Sequence, residues 1–233
     1  KVEAMGVRTV SMSIPAGWAD REVEEARGFL DDHRIAVGEY SAFHKGFDSA
    51  DASEREAGME HYRRQLRHAR TMGAHCVGFS TYAGRGTARM WSKETWRRGV
   101  DAVAELADEA ERVGMDIAAH PHVMAPLCSV ERYLELIEAV DSPRLKILMD
   151  VVNLTWPQMV FRTTELVDEV FDKLGERITA LHAKDVIVSG GSGVSPNMFQ
   201  RTRVAVGGST RKARSASSKS STSGSARRGA MLS

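Results

Sequence analysis

The sequence predicts an α/β protein built on a parallel sheet, and three observations predict it. Short apolar runs alternate with longer helical patterns six times in succession. The runs recur roughly every 30–40 residues, the spacing of a strand plus a crossover helix. They are apolar at most positions rather than strictly alternating, as strands are when both sheet faces are covered. The 233 residues suffice for one barrel or two small domains. A doubly wound sheet and an eightfold barrel both fit this alternation. No glycine-rich dinucleotide fingerprint follows any run, which removes the main positive sign of a Rossmann fold.

The elements follow in order. The first run is 8–14, closed by Pro15 and Gly17. Residues 20–33 predict a helix with Val23, Ala26 and Leu30 on one face. The second run is 34–40. A helix over 53–72 carries Met59, Tyr62, Leu66 and Ala69 inward and stops at Gly73. The third run is 75–81, and a long helix over 92–113 buries Trp96, Val100, Val103, Ala107 and Ala110 before Gly114. The fourth run is 115–120. The helix over 129–140 turns Val130, Tyr133, Leu134, Ile137 and Val140 inward and breaks at Asp141 to Pro143. The fifth run is 145–150, a helix ends near Leu174, and the sixth run is 178–182.

Composition is that of an ordinary globular domain, 42% hydrophobic and 27% charged. No apolar run approaches the roughly 18 residues of a membrane helix. Two cysteines, Cys76 and Cys128, are too few for a disulfide framework or a thiolate metal cage, and a cytoplasmic, reducing setting is expected. The net charge of +1 hides a division. Residues 190–233 hold eight of the 32 basic residues and none of the 31 acidic ones, so residues 1–189 carry a net −7. The expected organisation is therefore a domain over 1–189 and a basic tail of serine, glycine and arginine over 190–233. Within the tail, 207–233 has too few bulky residues to offset ordering entropy and is expected to be disordered, whereas Thr202 to Val206 could add one strand.

Four runs end in groups capable of acid–base or metal chemistry: Glu39, His120 with His122 two residues on, Asp150, and His182. In parallel α/β folds the carboxyl ends of strands converge on the ligand site. Histidine and aspartate without cysteine suit a divalent ion such as Mn, Mg, Co or Zn. Blander readings stay open at each position. Asp150 also reads as a turn cap, His182 as a core histidine, and His120 or His122 as loop lining. Trp18, Phe43 and Trp156 each follow a run and could wall a pocket, as apolar rings do around sugars. Gly84-Arg85-Gly86 reads as a flexible loop or as a contact for a phosphate or sugar oxygen.

These residues resemble a known family. Leu181-His-Ala-Lys-Asp185 is similar to the His-x-Lys-Asp signature of the xylose-isomerase-like barrels, the sugar phosphate isomerase/epimerase superfamily. Met149-Asp-Val-Val-Asn153 resembles its Asp-x-x-Asn strand end. The helix ending at Val113, followed by Gly-Met-Asp-Ile-Ala-Ala-His-Pro-His122, resembles its helix-glycine-strand element, with the His-Pro-His of an inosose-dehydratase-like branch. Met72-Gly-Ala-His-Cys-Val-Gly78 resembles the entry to another strand, and the likeness covers about 5–188.

The resemblance implies a (β/α)8 TIM-type barrel with a divalent metal at the carboxyl-end mouth. Asp150 and His182 fall on metal-ligand positions, and His120 falls where many members carry a ligand glutamate. Asn153 and Lys184 fall on positions that contact substrate oxygens. A cation there would act on adjacent oxygens of a small sugar, sugar phosphate or cyclitol, while Glu39, His122 or Lys184 moves a proton. Isomerisation, epimerisation or dehydration follows from where the proton or a β-hydroxyl goes. By family order the six runs match the second to the seventh strand, with the first absent ahead of Lys1. The eighth, which supplies a further ligand glutamate, is replaced by the tail, as truncation or a frame shift would leave it. An incomplete barrel of about six βα units is thus expected to be impaired in turnover. Its open sheet edges favour association unless Arg203 to Val206 covers one of them, and homo-oligomers fit the family. Two alternatives remain: a non-catalytic fragment binding polyanions non-specifically through the basic tail, and an apurinic-endonuclease-like metal nuclease.

Overall fold

The computed structural model describes residues 6–15, 17–189 and 197–205. Six parallel strands lie side by side in chain order: β1 (Thr9–Met12), β2 (Ala36–Ser41), β3 (Cys76–Phe79), β4 (Ile117–Ala119), β5 (Leu145–Met149) and β6 (Ile178–Ser189). The helices α1 (Asp20–Asp32), α2 (Ala52–Thr71), α3 (Lys93–Val113), α4 (Val130–Val140) and α5 (Thr163–Leu174) connect them. This is an incomplete TIM barrel of six strands with their helices. A seventh strand, β7 (Asn197–Ala205), pairs antiparallel with β6 from Leu181↔Ala205 to Ser189↔Asn197. The strand expected around 202–206 is thus longer and earlier, and it covers the outer edge of β6. Residues 207–233, expected to be disordered, lie outside the described residues.

Local chemistry sets the helix ends. The Asp51 carboxylate accepts from the backbone N–H of Ser53 and Glu54 at the start of α2, and the Ser92 hydroxyl accepts from Thr95 at the start of α3. Gly114 closes α3 in the left-handed region, φ 72°, where a side chain would be strained. Arg63 ties α2 to α3, reaching Glu56 and Glu109 at 2.8 Å and Glu105 at 2.9 Å.

The main core lies between the helices and the convex face of the sheet. It includes Met59, Tyr62, Leu66 and Ala69 of α2 and Val103, Ala107 and Ala110 of α3, as the spacing predicts. On α4 the inward face is rotated from the predicted one. Leu134 is 40% exposed and Leu136 is buried in its place. Leu134 stands at i+4 from Val130 and Leu136 at i+3 from Tyr133, so local spacing admits both, and packing buries Leu136. Trp96 and Val100 pack only partly against the core, while Ala102 and Leu106 are buried.

The strand residues divide by alternation. Val77, Phe79, Ile117, Ala119, Ile147 and Met149 join the helix-side core. Cys76, Ala118, Leu148 and Ala180 form a separate small cluster on the other face. Two bulges keep β2 and β6 in phase with this division. The β1–β2 register steps from Val10↔Val37 to Ser11↔Glu39, leaving Gly38 as the extra residue. The β5–β6 register steps from Ile147↔Ile178 to Leu148↔Ala180, leaving Thr179 extra. Val37 and Ile178 therefore pack toward the helices, whereas Glu39, Ala180 and His182 share the concave face.

Candidate active site

Period-two alternation carries three of these four concave residues to a polar one two positions on: Ala118 to His120, Leu148 to Asp150, and Ala180 to His182, with Lys184 two positions further. These polar residues meet beyond the small cluster. His120, Asp150 and His182 each offer a ligand atom within 4.8 Å of the others. His120 Nε2 lies 3.2 Å from Asp150 Oδ2, and His182 Nδ1 lies 3.8 Å from the same oxygen. Lys184 Nζ approaches that oxygen at 2.5 Å.

Asp150 is fully buried, and its two oxygens divide their work. Oδ1 accepts from the Asn153 N–H at 3.3 Å, capping the short turn Val151–Leu154. Oδ2 faces the imidazoles and the ammonium. The capping role and the cluster role thus coexist. Burial pushes the Asp150 carboxyl upward, but contacts with His120, His182 and Lys184 outweigh it and hold the pKa well below the usual carboxylate range. His120 goes the other way: burial lowers it, and Asp150 recovers only part of that loss. For His182 burial also acts downward, yet Asp150 and Glu39 raise its pKa to about 9.

Glu39 is fully buried beside this group, its Oε2 3.6 Å from His182 Nε2. It accepts hydrogen bonds from Ser11 and, at 2.8 Å, from Ser41. Burial opposes its charge, but His182 and the two hydroxyls together depress its pKa, so the carboxylate is ionised. Gly78 makes this possible. A Cβ there would fall on Glu39 Oε1 and within 3.1 Å of Leu148 Cδ2.

The other expected residues are placed around this group. Asn153 Nδ2 is 3.4 Å from His120 Nε2. The Phe43 ring, 37% exposed, lies 5.3 Å from the His120 ring and stands at the mouth. Trp18 packs against the hydrophobic core and makes no ring contact with the cluster among the described residues. Trp156 stacks on Trp91 at 6.2 Å. His122 is turned to its own loop. Its Nδ1 faces the Met124 N–H at 3.0 Å and its Nε2 faces Arg85 at 2.8 Å, two donors for one lone pair. His182 differs from the sequence expectation in one respect, because it lies inside a twelve-residue strand rather than at its end. Beyond Leu181, β6 leaves β5 and continues along β7, which the apolar pattern of 178–182 does not reveal. Ser11, Ser41 and Gly78 were not singled out by sequence; a glycine and two serines in apolar runs carry no site signal until the register brings them to Glu39.

The donor set fits a divalent ion. Two imidazoles and a carboxylate suit Zn, Mn or Co. His182 Nε2 is buried without a hydrogen-bond partner, and the Asp150 charge is compensated only by positive or proton-bearing groups.

An incomplete parallel barrel that gathers two histidines and an aspartate on its concave side is a class that comparison with known proteins identifies. A family model described as xylose isomerase-like TIM barrel matches residues 1–209, and the chain belongs to that family. It is similar to fructoselysine 3-epimerase of Escherichia coli O157:H7, 30% identical over 93 residues, which is 39% of this chain and 32% of the relative. The match thus spans about a third of the length of that relative. Among solved structures it is similar to the IolI protein with a bound zinc atom, at TM-score 0.65 and 16% identity, covering 79% of this chain and 66% of that one. It is also similar to a xylose isomerase-like TIM barrel protein from Mycobacterium smegmatis in complex with magnesium, at TM-score 0.63 and 17% identity, covering 87% and 69%. At these identities the likeness to the solved structures speaks for the fold.

Proposed function

We propose that this chain carries the metal site of an isomerase or epimerase acting on a small sugar, sugar phosphate or cyclitol. The observation that carries this reading is the convergence of His120, fully buried Asp150 and His182, with ligand atoms within 4.8 Å of one another. The curated relative, a 3-epimerase, supports the reaction class, and the zinc and magnesium in two similar structures support a divalent ion. His120, Asp150 and His182 would hold that ion, which when bound supplies positive charge to adjacent substrate oxygens and so acidifies the neighbouring C–H.

The protein's own groups do the rest. Lys184 and Asn153 contact substrate oxygens beside Asp150. Glu39, kept ionised by Ser11, Ser41 and His182, accepts the proton from carbon and returns it. His122, whose single lone pair lies between Arg85 and the Met124 N–H, positions the loop instead. Phe43 shields one side of the mouth from water. Return of the proton to the neighbouring carbon, with the hydroxyl proton passing from one oxygen to the other, gives isomerisation, and protonation of the original carbon from the opposite face by a second donor, for which Lys184 is the candidate, gives epimerisation.

Metal analysis after purification tests the reading. About one divalent ion per chain is expected, lost in Asp150→Ala and in His182→Ala while circular dichroism stays unchanged. Unchanged metal stoichiometry in both variants would remove the site.

A further inference from the structure

Beside the mouth lies a second cleft of about 420 Å³, between the loop after β2 and the loop after β3. Four cations line it: Lys45, Arg85, Arg89 and Arg98. No carboxylate forms an ion pair with any of them among the described residues, and Lys45 and Arg89 also make no side-chain hydrogen bond there. Arg98 is held by neutral acceptors, the Asp48 carbonyl at 3.1 Å and the Thr95 hydroxyl at 3.3 Å. Two carboxylates share the cleft. Asp48 is buried and accepts from the N–H groups of Tyr82 and Ala83 at 2.8 and 2.9 Å. Glu54 accepts from the Ser49 hydroxyl at 2.6 Å. The lining is therefore net positive.

The basic loop is built, not loose. Gly84 and Gly86 have φ of +68° and +73° on either side of Arg85. A Cβ on Gly84 would fall on the backbone of Arg89 and Met90, so only glycine lets the chain fold back and bring Arg85 and Arg89 to one turn. The Thr87 hydroxyl donates to the Gly84 carbonyl at 2.8 Å and accepts from the Arg89 N–H at 3.3 Å. The Gly86 N–H donates to the Met124 carbonyl at 3.0 Å, fixing the turn to the loop that follows His120. Arg85 then reaches His122 with one terminal nitrogen at 2.8 Å and lies 5.2 Å from the centroid of the Tyr82 ring, and its other N–H groups make no hydrogen bond among the described residues.

We propose that the substrate of the mouth carries an oxyanion, phosphate or carboxylate, at the end remote from its reacting carbons, and that Arg85, Arg89 and Lys45 hold that oxyanion in this cleft. The inference rests on the reading of the mouth as a sugar site and narrows its substrate to an anionic sugar or cyclitol. Its carrier is geometry: a fixed basic turn one His-Pro-His step from the His120–Asp150–His182 cluster. Arginine is suited to the task because its planar fork matches phosphate and carboxylate oxygens.

Calorimetric titration of the full 233-residue chain at low salt with glucose 6-phosphate, glucuronate and glucose tests this. The three share a ring and differ in the charge carried at one end. At least one anionic sugar is expected to bind about tenfold or more tightly than glucose, the worth of one charge-assisted hydrogen bond, with the advantage falling as salt is added. Preference for the phosphate or for the uronate identifies the oxyanion. Arg85→Gln, and the double variant Lys45→Gln with Arg89→Gln, are expected to bring the anionic sugar down to the level of glucose. The double variant changes exposed side chains that make no ion pair or side-chain hydrogen bond among the described residues, so folding is not at stake. Equal affinity for all three sugars, binding of none, or an anionic preference untouched in both variants would overturn the proposal. Asp150→Ala separates the two readings: it removes metal but leaves the anionic preference if both hold. Metal retained in Asp150→Ala counts against the mouth alone, whereas preference retained in the arginine variants counts against the cleft alone.

Discussion

Lys184 Nζ stands 2.5 Å from Asp150 Oδ2, the oxygen that both His120 and His182 also face. A buried carboxylate is thus neutralised by an ammonium at the place where a divalent ion would share it. The lysine and the ion compete for one oxygen.

Lys184→Met follows from that competition. Without the ion, loss of one partner of a buried pair costs about 3 kcal/mol. Addition of zinc is expected to raise the melting temperature of Lys184→Met by more than that of the parent, because binding restores the missing positive charge and meets no ammonium. Calorimetric scans with and without zinc measure both effects, and an equal zinc-induced shift in the two proteins would disprove the competition.

Gly78→Ala sets a methyl against Glu39. The new carbon would fall on Oε1 and 3.3 Å from Phe43 Cζ. Overpacking of this kind costs about 2 kcal/mol, and urea denaturation is the measurement. Gly86→Ala is the contrast. Its Cβ would meet open space, so its cost is confined to its backbone at φ +73°.

His61 gives a pH dependence. Its ring stacks on His44 at 4.2 Å, and burial first, then the positive fields of His44 and Arg64, lower its pKa to about 4. A lowered folded-state value means that the unfolded chain takes up the proton first as pH falls. The stability this neutral ring contributes is fully present above about 6.5 and is lost progressively down to about 4. His61→Gln should flatten the loss of stability across that window by up to one proton's worth, read from urea midpoints at several pH values. An unchanged slope would show that the ring titrates normally.

Arg63 bridges four glutamates, adding Glu60 at 3.5 Å to the three already described. A shared cation organises the seam of α2 and α3 with less entropy lost per contact than separate pairs. Arg63→Ala is expected to lower stability by about 1 kcal/mol, an effect that shrinks in high salt. Denaturation at two ionic strengths checks both parts.

The legibility of this protein follows physical lines. The strands and helices showed in the sequence because burial on two faces leaves apolar runs and burial on one leaves three- and four-residue spacing. Glu39, His120, Asp150 and His182 showed because each ends such a run. What the runs do not reveal is that Glu39 and His182 reach the concave face through bulges: a glycine at position 38 hints at one, while Thr179 does not. The choice of Leu136 over Leu134 depends on neighbouring helices, which local periodicity does not contain. The basic cleft joins residues from two loops and was invisible beyond the Gly84-Arg85-Gly86 fragment.

Each strand of the sheet hydrogen-bonds only to its neighbours in the chain, from β1 to β7 in unbroken succession. Assembly can therefore proceed unit by unit from the amino-terminal side, with every new hairpin-length or crossover-length addition docking on what is already formed. Among the described residues, each parallel pairing waits only for the next strand and its crossover helix, which favours vectorial folding during synthesis.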